Sequence, residues 1–140
     1  MLRLKLSAPY EQVYVYISLE NPLTGQTRTI DAKVDTGAAV TVIPKSVVNG
    51  LELPPLGSCS FTMVDGTPLT TEAQMCRLSF SDEDTIDTPI YVCDSDSGVA
   101  LLGMDVLRLC NFSQWHEWSD DEHSVYFELE LVSEDAMLVL

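Results

Sequence analysis

The residues of this chain that could do chemistry gather around one aspartate. Asp35 closes the alternating apolar run Ile30, Ala32, Val34, is followed by Thr36, Gly37 and Ala38, and precedes the β-formers Thr41, Val42 and Ile43, which stop at Pro44. The pattern predicts a strand that delivers Asp35-Thr36-Gly37 into a tight loop and a second strand, from Val40 to Ile43, that leaves it. Hydrolysis by water needs one group to take a proton from the water and another to give a proton to the departing part of the substrate. Two close carboxylates that share one proton supply both functions, because like charges at that range cannot both ionise. Asp35 is a candidate for one member of such a pair. Gly37 has no side chain, so the loop can turn sharply and let its backbone approach a second carboxylate. The plainer reading of the tripeptide is a turn whose Asp and Gly satisfy backbone geometry. That reading leaves the apolar runs on either side unexplained.

The elements that must position this loop are mostly strands. Leu2, Leu4, Leu6 and then Val13, Val15, Ile17, Leu19 alternate with polar residues at the strand period. The turn formers Asn21-Pro22-Leu23-Thr24-Gly25 join the second run to the one that carries Asp35. Pro44 is also placed to open one short helical turn toward Asn49-Gly50. From Cys59 to Phe80 the chain predicts a hairpin with its tip at Asp65-Gly66-Thr67-Pro68, since Asp-Gly between β-formers is a strong hairpin signal. The acidic segment Ser81 to Asp87 reads as a solvated turn, without the liganding pattern of a calcium loop. Thr88 to Cys93 and Val125 to Leu131 supply later strands. A short helix is expected over Met104 to Cys110, with Asp105 in its first turn. The stretch Trp115 to His123 reads as a loop between that helix and the final strand. A second Asp-Ser-Gly, at Asp96 to Gly98, lacks the strand and half-domain that another active loop would need and reads as a turn.

The segment Ile30 to Pro44, together with Leu101-Leu102-Gly103-Met104-Asp105 and the hairpin between them, resembles the retropepsin family of aspartic proteases over roughly residues 10 to 131. The resemblance implies an all-β, small closed acid-protease barrel with a flap hairpin and one short helix. It implies an aspartic endopeptidase, acting on a polypeptide substrate without a cofactor, in which Asp35 from each of two identical copies forms the catalytic pair. Thr36 would link the two active-site loops by hydrogen bonds, with Gly37, Ala38 and Thr41 completing the loop. Leu101, Leu102, Gly103 and Asp105 would form the supporting segment before the helix. Met63, Val64, Asp65, Gly66 and Thr67 would form the flap. The family joins its two copies partly by chain ends, for which Leu2, Leu4, Leu6 and the apolar Met137 to Leu140 are available. Where retroviral enzymes carry an aspartate after the motif's alanine and an arginine after the later glycine, this chain has Ala39 or Val40 and Met104, so that supporting ion pair is absent. The flap tip has one glycine, Gly66, where viral flaps have several.

Composition bounds the rest. A chain of 140 residues, 46% apolar, is the size of one domain and can bury a core without metals or disulfides. A net charge of -15 with only seven Lys and Arg argues against nucleic acid and anionic membranes as partners. No apolar run is long enough to span a bilayer, and the start of the chain interleaves charge where a secretory signal would be apolar. The four cysteines, Cys59, Cys76, Cys93 and Cys110, have none of the close spacings of zinc or redox sites. A soluble cytoplasmic protein with reduced thiols is expected. Cys110, His116 and His123 match no strong zinc pattern and read as packed or surface side chains, so no metal is expected. A catalytically silent dimerisation or peptide-binding module of the same fold is the alternative to an enzyme.

Overall fold

The computed structural model describes residues 1–6, 12–62, 66–94 and 99–132. Strands take 62% of the described residues and helices 7%, so the domain is all-β, as expected. The elements run β1 Leu2–Leu6, β2 Tyr14–Glu20, β3 Thr27–Val34, β4 Val42–Pro44, α1 Lys45–Val48, β5 Pro55–Thr62 and β6 Pro68–Ser79. They continue with β7 Thr85–Cys93, β8 Ala100–Leu102, α2 Met104–Leu107, β9 Cys110–Ser119 and β10 Glu122–Leu131.

Six strands close into a barrel. The order β2-β3-β8-β4-β7-β6 returns to its start because β6 also pairs with β2, through Ser18↔Ser79, Leu19↔Leu78 and Glu20↔Arg77. Closure leaves the barrel without free edges. β5 lies outside the ring, paired among the described residues only with β6, and the two form the expected hairpin. The alternation of β2 appears as burial: Val15, Ile17 and Leu19 are inaccessible to solvent, while Tyr14 and Tyr16 face outward. Ile43, Leu78, Ile90, Leu102, Val106 and Leu107 fill the same core.

A second sheet, in the order β1-β10-β9, packs against the barrel core through Phe127 and Leu129, with Val125 also buried on β10. This sheet corrects the expectation of a loop over Trp115 to His123. The segment is an antiparallel hairpin with its turn at Asp120-Asp121, where Asp120 adopts φ 49°. Aromatic cross-strand stacking favours the pairing: Trp115 lies on Tyr126 at 5.5 Å and Trp118 on His123 at 3.9 Å between ring centroids. β1 pairs with β10 of its own chain, from Leu2↔Leu129 to Leu6↔Val125, so one of its edges is taken up internally. Met137 to Leu140 and Asp96 to Gly98 lie outside the described residues.

The acidic segment also differs from expectation. Thr85 already belongs to β7, and Asp84 is buried, at 4% exposure. Its carboxylate accepts hydrogen bonds from Ser81 Oγ and from the Leu131 amide at 2.9 Å, and it pairs with the Met1 ammonium at 2.7 Å. Burial raises the carboxyl pKa, but the bonds from Met1, Ser81 and Leu131 outweigh it and hold Asp84 below the usual carboxylate range. The carboxylate thus ties the β6–β7 turn to the start of β1 and the end of β10. The helix expected over Met104 to Cys110 stops at Leu107, and β9 begins at Cys110.

Candidate active site

Asp35 follows the last residue of β3. Val34 donates its amide to the Val13 carbonyl at 2.8 Å, and Asp35 donates its own to the Leu102 carbonyl at 3.0 Å, so β3 and β8 fix where the loop starts. The loop then folds on its own aspartate: Gly37 N–H donates to Asp35 Oδ1 at 2.9 Å, and Ala38 N–H to the Asp35 carbonyl at 3.2 Å. A Cβ at Gly37 would sit 3.2 Å from Asp35 Oδ1, so the missing side chain lets the amide reach the carboxylate. Asp35 is half-buried, whereas Thr36 and Gly37 are exposed. Among the described residues the Thr36 hydroxyl has no hydrogen-bond partner.

The far side of the loop is stitched to the start of α2. Met104 N–H donates to the Ala38 carbonyl at 2.8 Å and Asp105 N–H to the Ala39 carbonyl at 3.1 Å. Thr41 is inaccessible to solvent and bonded at every polar atom. Its amide donates to Asp105 Oδ2 at 3.1 Å and its hydroxyl to Asp105 Oδ1 at 2.7 Å. The hydroxyl also accepts from Gly103 N–H at 3.1 Å, and the Thr41 carbonyl accepts from Tyr91 N–H at 3.0 Å. Gly103 has no room for a side chain, since a Cβ there would lie 2.3 Å from the Val40 carbonyl oxygen. Leu102 is buried beneath the loop, and Leu101 pairs with Lys33 and Val42.

Asp35, Gly37, Ala38, Thr41, Leu101, Leu102, Gly103 and Asp105 are therefore brought into one framework. The sequence placed Asp105 in the first turn of the helix and in the supporting segment, without naming Thr41 as its partner. The two bonds of Asp105 to Thr41 tie the end of the loop to the start of α2. A sixty-residue separation hides such a pairing until the barrel closes. At the flap, Gly66 and Thr67 are exposed just before β6, while Met63, Val64 and Asp65 lie outside the described residues. Phe61 meets Tyr91 edge-on at 5.0 Å, and Thr71 hydroxyl donates to the Val92 carbonyl, which seats the hairpin base on β7. A cleft of about 500 Å³ lies between α1 and that hairpin, lined by Lys45, Val48, Glu52, Leu53 and Glu72 among others, and Asp35 is not part of its wall.

The cysteines and histidines stand apart from this loop. Burial pushes the Cys76 thiol up to about 11 and the Cys110 thiol to about 12, so neither is a ready nucleophile. Cys110 Sγ donates to the Val106 carbonyl at 3.4 Å. His116 Nδ1 lies 2.7 Å from His123 Nε2 on the outer hairpin. No helix among the described residues is long and apolar enough to cross a membrane.

A closed six-stranded barrel with a flap hairpin and a single Asp-Thr-Gly loop above a short helix defines the single-lobe acid-protease class. Residues 23–109, more than half of the chain, match the family described as "gag-polyprotein putative aspartyl protease", and the chain belongs to that family. Two solved structures share its fold. The EIAV protease, complexed with the inhibitor HBY-793, is 18% identical, with a TM-score of 0.56 over 74% of this chain and 91% of the other. A retropepsin-like aspartic protease from Rickettsia conorii is 15% identical, with a TM-score of 0.53 over 94% and 92%. No curated protein matches the sequence.

Proposed function

We propose that this chain is an aspartic endopeptidase whose catalytic pair is Asp35 from each of two identical copies, acting on an extended polypeptide between flap and floor. The supporting observation is the loop itself: a half-buried Asp35 with one oxygen held by Gly37, on a segment locked by Thr41, Asp105 and Gly103. Among the described residues only one such loop exists, and the sequence holds a single Asp-Thr-Gly. A lone carboxylate that has taken a proton from water has no partner acid to protonate the substrate oxygen, so the reaction requires a second copy.

In the reaction, the ionised member of the pair takes a proton from the attacking water, and the protonated member gives its proton to the carbonyl oxygen of the peptide bond. Collapse of the tetrahedral intermediate breaks the C–N bond: the proton held by the first carboxylate passes to the leaving amine, and the second carboxylate takes back a proton from a hydroxyl of the intermediate, which leaves a carboxylic acid and restores the pair. The Gly37 amide already pointed at Asp35 Oδ1 orients the carboxylate before substrate arrives, which is the preorganisation this chemistry needs. The exposed Thr36 hydroxyl is free to bond across to the second loop. Free thiols at Cys59, Cys76, Cys93 and Cys110 suit a reducing compartment such as the cytoplasm.

The test is incubation of the purified protein with a denatured protein substrate from acidic to neutral pH. Cleavage is expected on the acid side of neutral, falling away on both sides of its maximum, and absent in Asp35→Asn. No cleavage at any pH would leave the silent module as the better description, and cleavage that survives Asp35→Asn would refute Asp35 as the catalytic residue.

A further inference from the structure

We infer that Lys33 is a specificity-determining residue that takes an acidic side chain of the polypeptide, within about two residues of the cleaved bond; this rests on the proposed Asp35 pair. β3 alternates right up to the active loop. Ala32 is inaccessible to solvent and Val34 packs against the core, so Lys33 lies on the opposite face. The extended chain continues past Val34: its amide bonds the Val13 carbonyl on one side, and the next amide, of Asp35, bonds the Leu102 carbonyl on the other. Lys33 and Asp35 therefore share a face, about 7 Å apart along the strand. That face continues across the sheet. Lys33 stands opposite Leu101 on β8, Leu101 opposite Val42 on β4, and Val42 opposite Tyr91 on β7. All four are half-buried, while Ala32, Ala100, Leu102, Ile43 and Ile90 beside them in the chain are buried in the core. Tyr91 in turn meets Phe61 of the flap hairpin at 5.0 Å. The row makes a floor that runs from beside the active loop to the hairpin, and Lys33 is its one cation.

The other lysines and arginines are committed or exposed. Arg3 pairs with Glu128, Lys5 with Glu122 and Arg77 with Glu20 and Asp87, while Arg28 donates to the Val47 carbonyl at 2.7 Å. Lys45 and Arg108 are exposed. Among the described residues Lys33 is the one half-buried Lys or Arg with neither an ion pair nor a hydrogen bond. Its own domain offers carboxylates that it does not use: Asp31 and Asp35 flank it on the same face of β3, and neither pairs with it. Its cross-strand neighbours, Tyr14 and Leu101, carry no charge to meet it. An ammonium partly withdrawn from water gains from a carboxylate that reaches it. An extended polypeptide advances about 3.3 Å per residue, so a side chain one or two residues from the bond at Asp35 comes level with Lys33. The second copy supplies a second Lys33, so an acidic residue is read on either side of the bond. The charge of -15 repels acidic polypeptides at long range, but at physiological salt the Debye length is about 8 Å, so the choice between peptides that differ in one side chain is made locally.

The experiment maps the bonds that wild type cleaves in a denatured protein, then compares kcat/KM for peptides of one mapped site with Glu or Gln within two residues of the bond. Glu should be preferred at least about fivefold at about pH 5.5, where it is ionised, and the preference should fade below about pH 4. Lys33→Met should bring the ratio to about 1, and Lys33→Arg, which keeps the charge, should keep most of it. Lys45→Met, on α1 and outside this row, should match the wild-type ratio. Equal rates for Glu and Gln in wild type, or a preference unchanged in Lys33→Met, would overturn the inference. If wild type cleaves nothing, fluorescence anisotropy decides, with labelled apolar peptides of about ten residues carrying one central Glu or Gln. Tighter binding of the Glu peptide that is lost in Lys33→Met would uphold Lys33 and refute the protease reading, whereas equal binding or none would overturn the inference. Cleavage that vanishes in Asp35→Asn but is indifferent to Lys33 would uphold the protease reading and overturn this assignment alone.

Discussion

Replacing Thr41 by valine probes the lock beneath the active loop while keeping side-chain volume. The hydroxyl is fully buried, donates to Asp105 Oδ1 at 2.7 Å and accepts from Gly103 N–H at 3.1 Å. Valine removes both bonds. Asp105 keeps amide donors from Thr41's own position and from Val106, so its loss is small, about 1 kcal/mol. Gly103 N–H is buried and left without a partner, which costs about 2 kcal/mol. The sum is about 3 kcal/mol, or roughly 10 °C in Tm for a domain of this size. Serine keeps the hydroxyl and loses only a buried methyl, about 1 kcal/mol. Urea unfolding followed by far-UV circular dichroism, at one fixed protein concentration, measures both. Thr41→Val should be the worse variant by about 2 kcal/mol. If valine proved equal to or milder than serine, the hydroxyl would not be holding Gly103 and Asp105, and the account of how the loop is fixed would fail.

Gly103→Ala should prevent native folding or cost several kcal/mol, because its Cβ would meet the Val40 carbonyl oxygen at 2.3 Å, a backbone atom that cannot move aside without displacing the active loop; a thermal melt within about 1 kcal/mol of wild type would refute this. The Asp84 clasp should act in a pH window. The carboxyl pKa is lowered from 3.8, so its contribution is present above that value and is lost as pH falls through the lower folded-state value. Hydrogen bonding to Asp84 first, and then its charge, raise the Met1 ammonium above 8.0 against a smaller opposing effect of burial, so that contribution is present below 8.0 and is lost as pH rises through the raised value. The stability gap between wild type and Asp84→Asn should therefore be widest from about pH 4 to 8 and narrow outside it, as Tm against pH would show. A gap independent of pH would exclude the ion pair as its cause.

Much of this protein was legible in the sequence because its signals are local. Strand alternation in Val13 to Leu19 and Ile30 to Val34 reports which side of each strand faces the core, and that period survives into the buried Val15, Ile17, Leu19 and Ala32. The Asp35-Thr36-Gly37 turn and the glycine of Leu101-Leu102-Gly103 are equally local, since each is demanded by backbone geometry within a few residues. β9 was not legible, because its core-facing positions are uncovered and so carry Phe112, Gln114, His116 and Trp118 in place of an aliphatic alternation. Asp84 looked solvated because a run of acids gives no sign of which one turns inward; that depends on the Met1 ammonium and the Leu131 amide, brought there by β1 and β10. The chain thus encoded by itself the candidate catalytic residue and the period of the barrel. Tertiary structure alone decided that Asp105 clamps Thr41, that Asp84 joins the start of β1 to the end of β10 and that β9 pairs only with β10 among the described residues, because each depends on contacts between segments far apart in the chain.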